Sequence, residues 1–119
     1  QALEIACKKA EALIHEYTIA PIYLADNKSG KHQWLIEFEK KPTSTDYFME
    51  VLDTALKSLN SDYEAKRYKN LILDLPELVL MPKNTFYNWL KQHNKLGGQH
   101  KVPRLSNNRK IAEEMLKLV

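Results

Sequence analysis

Residues 18–39 run Thr18-Ile19-Ala20-Pro21-Ile22-Tyr23-Leu24-Ala25-Asp26-Asn27-Lys28-Ser29-Gly30-Lys31-His32-Gln33-Trp34-Leu35-Ile36-Glu37-Phe38-Glu39. The opening residues are rich in β-branched and aromatic side chains, and the centre at 26–31 is dense turn chemistry. Trp34, Ile36 and Phe38 then alternate with Gln33, Glu37 and Glu39. A period of two marks a half-buried strand, so the stretch predicts a β-hairpin with Glu37 and Glu39 on a solvated outer face. Pro21 has no N–H for a ladder and pushes the first strand towards an edge or a bulge.

Upstream, Leu3, Ala6, Ala10, Leu13, Ile14 and Tyr17 recur at helical spacing, which predicts an amphipathic helix ending near Tyr17. Cys7 lies on its apolar side and reads as a small buried hydrophobe; a single cysteine excludes an internal disulfide. Downstream, Thr43 and Asp46 have the spacing of a capping box, and Phe48, Val51, Leu52, Ala55 and Leu59 predict a second helix ending near Asn60. A short helix from Ser61 or Asp62 places Tyr63 and Arg67 on one face in a structural role. Residues 71–75 read as a packed connection and 77–81 as a strand stopped by Pro82. Asn84 or Thr85 caps a helix that buries Phe86, Trp89 and Leu90 and stops before Gly97-Gly98; Ser106 caps a last helix using Ile111, Met115 and Leu118. The expected class is α+β: a small sheet of three to four strands, one β-hairpin plus a later strand, flanked by helices on both sides.

With 119 residues, 44% apolar and 28% charged, the chain is one domain's worth of ordinary globular composition. No apolar run approaches the roughly 20 residues that cross a bilayer, and neither a membrane nor a secretory leader is expected. The start at Gln1 without a methionine fits a domain cut from a larger, cytoplasmic protein. The net charge of +3 is unevenly placed: residues 1–77 hold ten Lys or Arg against thirteen Asp or Glu, and residues 78–119 hold eight against two. Within 78–112 there is no Asp or Glu, while Lys83, Lys91, Lys95, Lys101, Arg104, Arg109 and Lys110 all fall there. Such a field attracts phosphates, nucleotides, nucleic acid or an acidic partner.

His15, His32, His93 and His100 lack metal-ligand spacing, and no metal site is expected. Neither a Gly-x-Ser-x-Gly elbow nor a Walker lysine loop is present. Lys101 follows the Gly97-Gly98 turn and precedes Val102-Pro103, so its base is fixed on a short loop whose approach is adjustable. That placement suits the delivery of a point positive charge to a phosphate.

The string Gly98-Gln99-His100-Lys101-Val102-Pro103-Arg104, with Asn84-Thr85-Phe86 at a helix start and Leu59-Asn60-Ser61-Asp62-Tyr63 ahead of it, resembles the C-terminal domain of the Gretchen-Hagen-three (auxin-responsive) acyl acid amido synthetases. Plant members carry a similar Gln-Tyr-Lys-(Val/Thr)-Pro-Arg string and a Gly-Thr-Phe helix start; here His100 stands for the Tyr and Asn84 for the Gly. A bacterial member is expected. The resemblance spans nearly the whole chain and implies the adenylate-forming superfamily. A carboxylate and Mg-ATP give an acyl-adenylate and pyrophosphate, and an amino acid's amine then forms the amide and releases AMP.

On this resemblance residues 1–119 are the mobile C-terminal lid. A large N-terminal domain that binds ATP, Mg and the acyl acid would lie outside these residues, and the isolated lid would be inactive. Its partners would be that adenylation domain and the acyl acid and amino acid substrates, without nucleic acid or membrane. Lys101 matches the motif lysine and would be catalytic, with Gln99, His100 and Arg104 as candidate nucleotide contacts. The alternative is a stand-alone basic module binding nucleic acid or an acidic protein. Against it, Trp34, Phe48, Phe86 and Trp89 are needed for core faces, leaving few aromatics to stack on bases.

Overall fold

The computed structural model describes residues 1–23, 30–70, 72–93 and 101–119. Strand β1 (Leu13–Tyr23) pairs antiparallel with β2 (Gly30–Lys40), and β2 pairs in parallel with β3 (Glu77–Leu80), giving one sheet in the order β1-β2-β3. The hairpin is present, with Pro21 on an edge strand of that sheet. A parallel return needs a crossover of a dozen or more residues, and α2 (Thr45–Leu59) with α3 (Ser61–Arg67) provides it.

Because β2 is central, it is buried on both faces. Trp34, Ile36 and Phe38 meet Phe48, Met49 and Leu52 of α2 and the alanines Ala2, Ala6 and Ala10 of α1 (Ala2–Ala10). Alanines let α1 lie close, and half-buried Cys7 packs beside them, its thiol pKa pushed up by burial. On the opposite face Leu35 joins Ala20, Phe86 and Trp89 of α4 (Thr85–Gln92), Val102, and Ala112 and Met115 of α5 (Lys110–Leu116). The result is α+β, a three-stranded mixed sheet with helices on both sides.

The first helix is shorter than its periodicity implies. It stops at Ala10, where Glu11 takes the left-handed conformation (φ 56°) and the Ala12 N–H donates to the Cys7 carbonyl at 2.9 Å. Leu13, Ile14 and Tyr17 belong to β1 instead. Register shifts between Leu13 and Ile14 and between Ile14 and Glu16 form a bulge, so Ile14 and Tyr17, three residues apart, both pack on the α1–α2 core. A bulged strand has here imitated helical spacing.

Two caps also move. The Ser44 hydroxyl, not Thr43, accepts from the Tyr47 N–H at 3.1 Å to start α2. Ser106 does not cap α5: the helix starts after Arg109, which makes no side-chain cap bond, and Asn108 Oδ1 accepts from the Lys110 N–H at 3.0 Å. The connection before β3 is tied to the hairpin: Gly30 N–H donates to Ile72 O at 3.0 Å, and Asp74 N–H to Gly30 O at 2.7 Å. A Cβ at Gly30 would stand 2.7 Å from the Ile22 carbonyl oxygen, so this close approach requires glycine.

Candidate functional site

The outer edge of β1 is occupied by a strap formed by residues 102–106. Ile19 N–H donates to Arg104 O at 2.9 Å, and Ser106 N–H returns the bond to Ile19 O at 3.0 Å, a one-residue parallel bridge. Beside it the buried Thr18 hydroxyl donates to Pro103 O at 2.6 Å. Val102 inserts its side chain into the α4–α5 core and is 2% exposed. Lys101, next along the chain, is exposed. Its ammonium has no ion-pair partner among the described residues.

Arg104 lies on the strap with its side chain held from β1. Its Nη2 is 3.4 Å from Glu16 Oε1, and its guanidinium carbon stands 4.5 Å from the centre of the Tyr17 ring. A hydrogen bond to Tyr17, then the Glu16 charge, raises its pKa further above the ordinary arginine value. Tyr17 in turn stacks on buried Trp34 at 5.8 Å. Arg109 is also engaged inside the domain: Nη2 donates to Gln33 Oε1 at 2.9 Å, Nη1 to Pro21 O at 3.1 Å, and Nε pairs with Glu113 at 3.0 Å. The acid-free run is therefore not an uncompensated field. Glu16, from another part of the chain, and Glu113, just past the run, reach its arginines. Gln99, His100 and the Gly97-Gly98 turn lie outside the described residues.

The start of α4, the second motif, depends on a residue that alternation had placed in solvent. Glu37 is 4% exposed, and its carboxylate accepts the N–H groups of Asn84 at 3.1 Å and Phe86 at 3.2 Å. A carboxylate at a helix N-terminus satisfies orphan donors and complements the dipole. Asn84 has φ 72°, a left-handed conformation that glycine and asparagine tolerate best. At the far end of α4, Trp89 Nε1 donates to Glu114 Oε1 at 3.0 Å, and His93 Nε2 is 3.1 Å from the same oxygen. The rings of Trp89 and His93 stack at 4.2 Å, so α4 is fastened to α5.

Tyr63 and Arg67 share a buried network with Asp53, which sequence reading missed because it lies on a different helix. Arg67 Nε and Nη2 donate to the two Asp53 oxygens at 2.8 and 2.9 Å, and the Tyr63 hydroxyl donates to Oδ1 at 2.5 Å. Burial pushes the Asp53 carboxyl up, but hydrogen bonds from Arg67 and Tyr63 and the charges of Arg67 and Lys57 outweigh it and hold its pKa below the usual value. Burial, then the bond to Asp53, raises the Tyr63 phenol. Arg67 Nη1 also holds Leu73 O at 3.0 Å, so the network fixes the approach to β3.

A groove of about 590 Å³, lined in part by His32, Tyr63, Lys66, Ile72 and Leu105, opens beside this network. Burial, then the Lys66 charge, lowers the His32 pKa. Lys101 is not among its lining residues. Among the described residues no group of three His, Cys, Asp or Glu side chains is placed to hold a metal ion, and no helix is long and apolar enough to cross a membrane.

Comparison with known proteins agrees with this architecture. The chain superposes on AtGH3.15 acyl acid amido synthetase in complex with 2,4-DB with a TM-score of 0.72 at 16% identity, covering 98% of this chain and 22% of that one. A second structure, GH3.15 acyl acid amido synthetase, gives 0.71 at 16% identity, covering 98% and 21%. The chain thus spans about a fifth of the length of these proteins. No curated protein sequence matches it. The family model described as GH3 family C-terminal domain matches residues 1–110, and the chain belongs to that family.

Proposed function

We propose that these residues are the lid of an ATP-dependent acyl acid amido synthetase. In that reaction a carboxylate and ATP give an acyl-adenylate and pyrophosphate, and an amino acid's amine then displaces AMP to form an amide. Family membership supports the reaction class. The observation that carries the lysine's role is its setting: exposed, without an ion-pair partner among the described residues, and one residue from buried Val102. A cation with a fixed base and no counter-charge among the described residues is available to an anion on another body.

Mg-ATP and the acyl acid would be held by the part of the protein beyond this domain. As the lid closes, the Lys101 ammonium would meet the charge that develops between the α-phosphate and departing pyrophosphate, stabilising the transition state more than bound ATP. Arg104 holds the strap through Glu16 and Tyr17 and offers its exposed half to the nucleotide. Gln99 and His100 complete the proposed contact. The isolated domain should show no turnover.

Stand-alone nucleic-acid binding is less well supported. Trp34, Phe48, Phe86 and Trp89 are all buried, and within 78–119 Tyr87 is the one exposed aromatic among the described residues. The deciding experiment is carboxylate-dependent exchange of pyrophosphate into ATP by the full-length enzyme. Lys101→Ala should slow it roughly 100- to 1,000-fold, the usual effect of losing one transition-state donor. An unchanged rate removes Lys101 from adenylation. Salt-dependent binding of generic RNA or DNA, indifferent to Lys101→Ala, would favour the alternative.

A further inference from the structure

We propose that Thr18 is a positioning residue for adenylation, setting the direction in which the strap presents Lys101. The inference rests on the catalytic reading of Lys101 given above. Thr18 is 1% exposed, and a hydroxyl so deeply buried needs a partner. That partner is Pro103 O at 2.6 Å, 85 residues away in sequence and two residues beyond Lys101. Valine would fill nearly the same volume, so packing alone does not call for threonine at this position.

The strap backbone is fixed in distinct ways. The proline ring sets φ at Pro103, and the Thr18 hydroxyl fixes the direction of the Pro103 carbonyl. The next residue of β1, Ile19, holds Arg104 O and accepts from Ser106 N–H. Val102 fills the α4–α5 core between these bonds and Lys101. Without the Thr18 bond, the Ile19 pair still holds the strap to the sheet, but the Pro103–Arg104 peptide, the tethered one closer to Lys101, loses its side-chain bond. A misplacement of about 1 Å is enough to cost about 100-fold where a catalytic group must be aligned.

The test uses full-length enzyme, with Thr18→Val, Thr18→Ser, Lys101→Ala and the Thr18→Val/Lys101→Ala double variant compared in pyrophosphate exchange. Thr18→Val is expected to lower the exchange kcat about tenfold with KM for ATP unchanged, while Thr18→Ser, which keeps the hydroxyl, stays close to the parent. In the Lys101→Ala background Thr18→Val should have no further effect, because the residue acts through the lysine. If Lys101→Ala is impaired and Thr18→Val is not, the inference about Thr18 fails and the reading of Lys101 stands. An equal tenfold loss in both backgrounds marks a general structural effect and also overturns it. If Lys101→Ala retains full activity, both readings fall. Thr18→Ala carries the same comparisons should the valine variant not fold.

Discussion

Glu37 and Phe86, 49 positions apart in sequence, are joined by a 3.2 Å bond from the Phe86 N–H to Glu37 Oε1. The central strand thereby supplies the cap that α4 does not supply for itself, since Asn84 makes no side-chain cap bond. Glu37→Ala should destabilise the chain by about 1–3 kcal/mol, the cost of leaving helix donors without their acceptor. Urea unfolding gives the magnitude. Faster hydrogen exchange at the Phe86 amide would locate the loss at the start of α4.

Two of the left-handed residues make a paired prediction. Asn84 (φ 72°) and Glu11 (φ 56°) sit where glycine carries no steric cost. Asn84→Val should cost about 1–2 kcal/mol, and Asn84→Gly should be close to neutral. Glu11→Gly should be neutral or stabilising by up to about 1 kcal/mol. Thermal midpoints of these variants provide the check, with Asn84→Val expected lowest.

Asp53 should confer acid sensitivity. Its folded pKa is held below the usual value, so the stabilisation is fully present above the unfolded aspartate value of about 3.9 and is lost as pH falls through the folded one. Unfolding midpoints recorded from neutral pH down to about pH 2 should therefore fall more steeply for the parent than for Asp53→Asn. At neutral pH, Asp53→Ala should cost about 3–5 kcal/mol because Arg67 would remain buried without its carboxylate.

Gly30 is the junction of the hairpin and the connection to β3. Its Cβ would lie 2.7 Å from the Ile22 backbone oxygen, so Gly30→Ala must shift a strand and should cost about 1–3 kcal/mol. Exchange at the Asp74 amide, which donates to Gly30 O, should accelerate with it.

The hairpin, α2, α3, β3 and α4 were legible because alternation, turn chemistry and helical spacing agreed over those residues. The end of α1 was not. Glu11 ends the helix in a conformation normally announced by glycine, and the bulge around His15 puts Ile14 and Tyr17 on one face at a helical interval. Glu37 fits the alternating pattern, but α4 covers that side of β2 and makes it a cap. For the candidate site, the motif made Lys101 and Arg104 candidates, whereas Thr18, Glu16 and Asp53 carried no such signal. Their roles arise from pairings across long sequence separations that no local pattern encodes.

On the proposed reading Lys101 serves the first half-reaction, and rapid-quench single turnovers of the full-length protein separate that step from the second. Starting from carboxylate and ATP, Lys101→Ala should form acyl-adenylate roughly 100- to 1,000-fold more slowly than the parent. Starting from preformed acyl-adenylate and amine, it should release AMP at the parental rate. Parental acyl-adenylate formation with slowed amide formation would instead assign Lys101 to the second half-reaction.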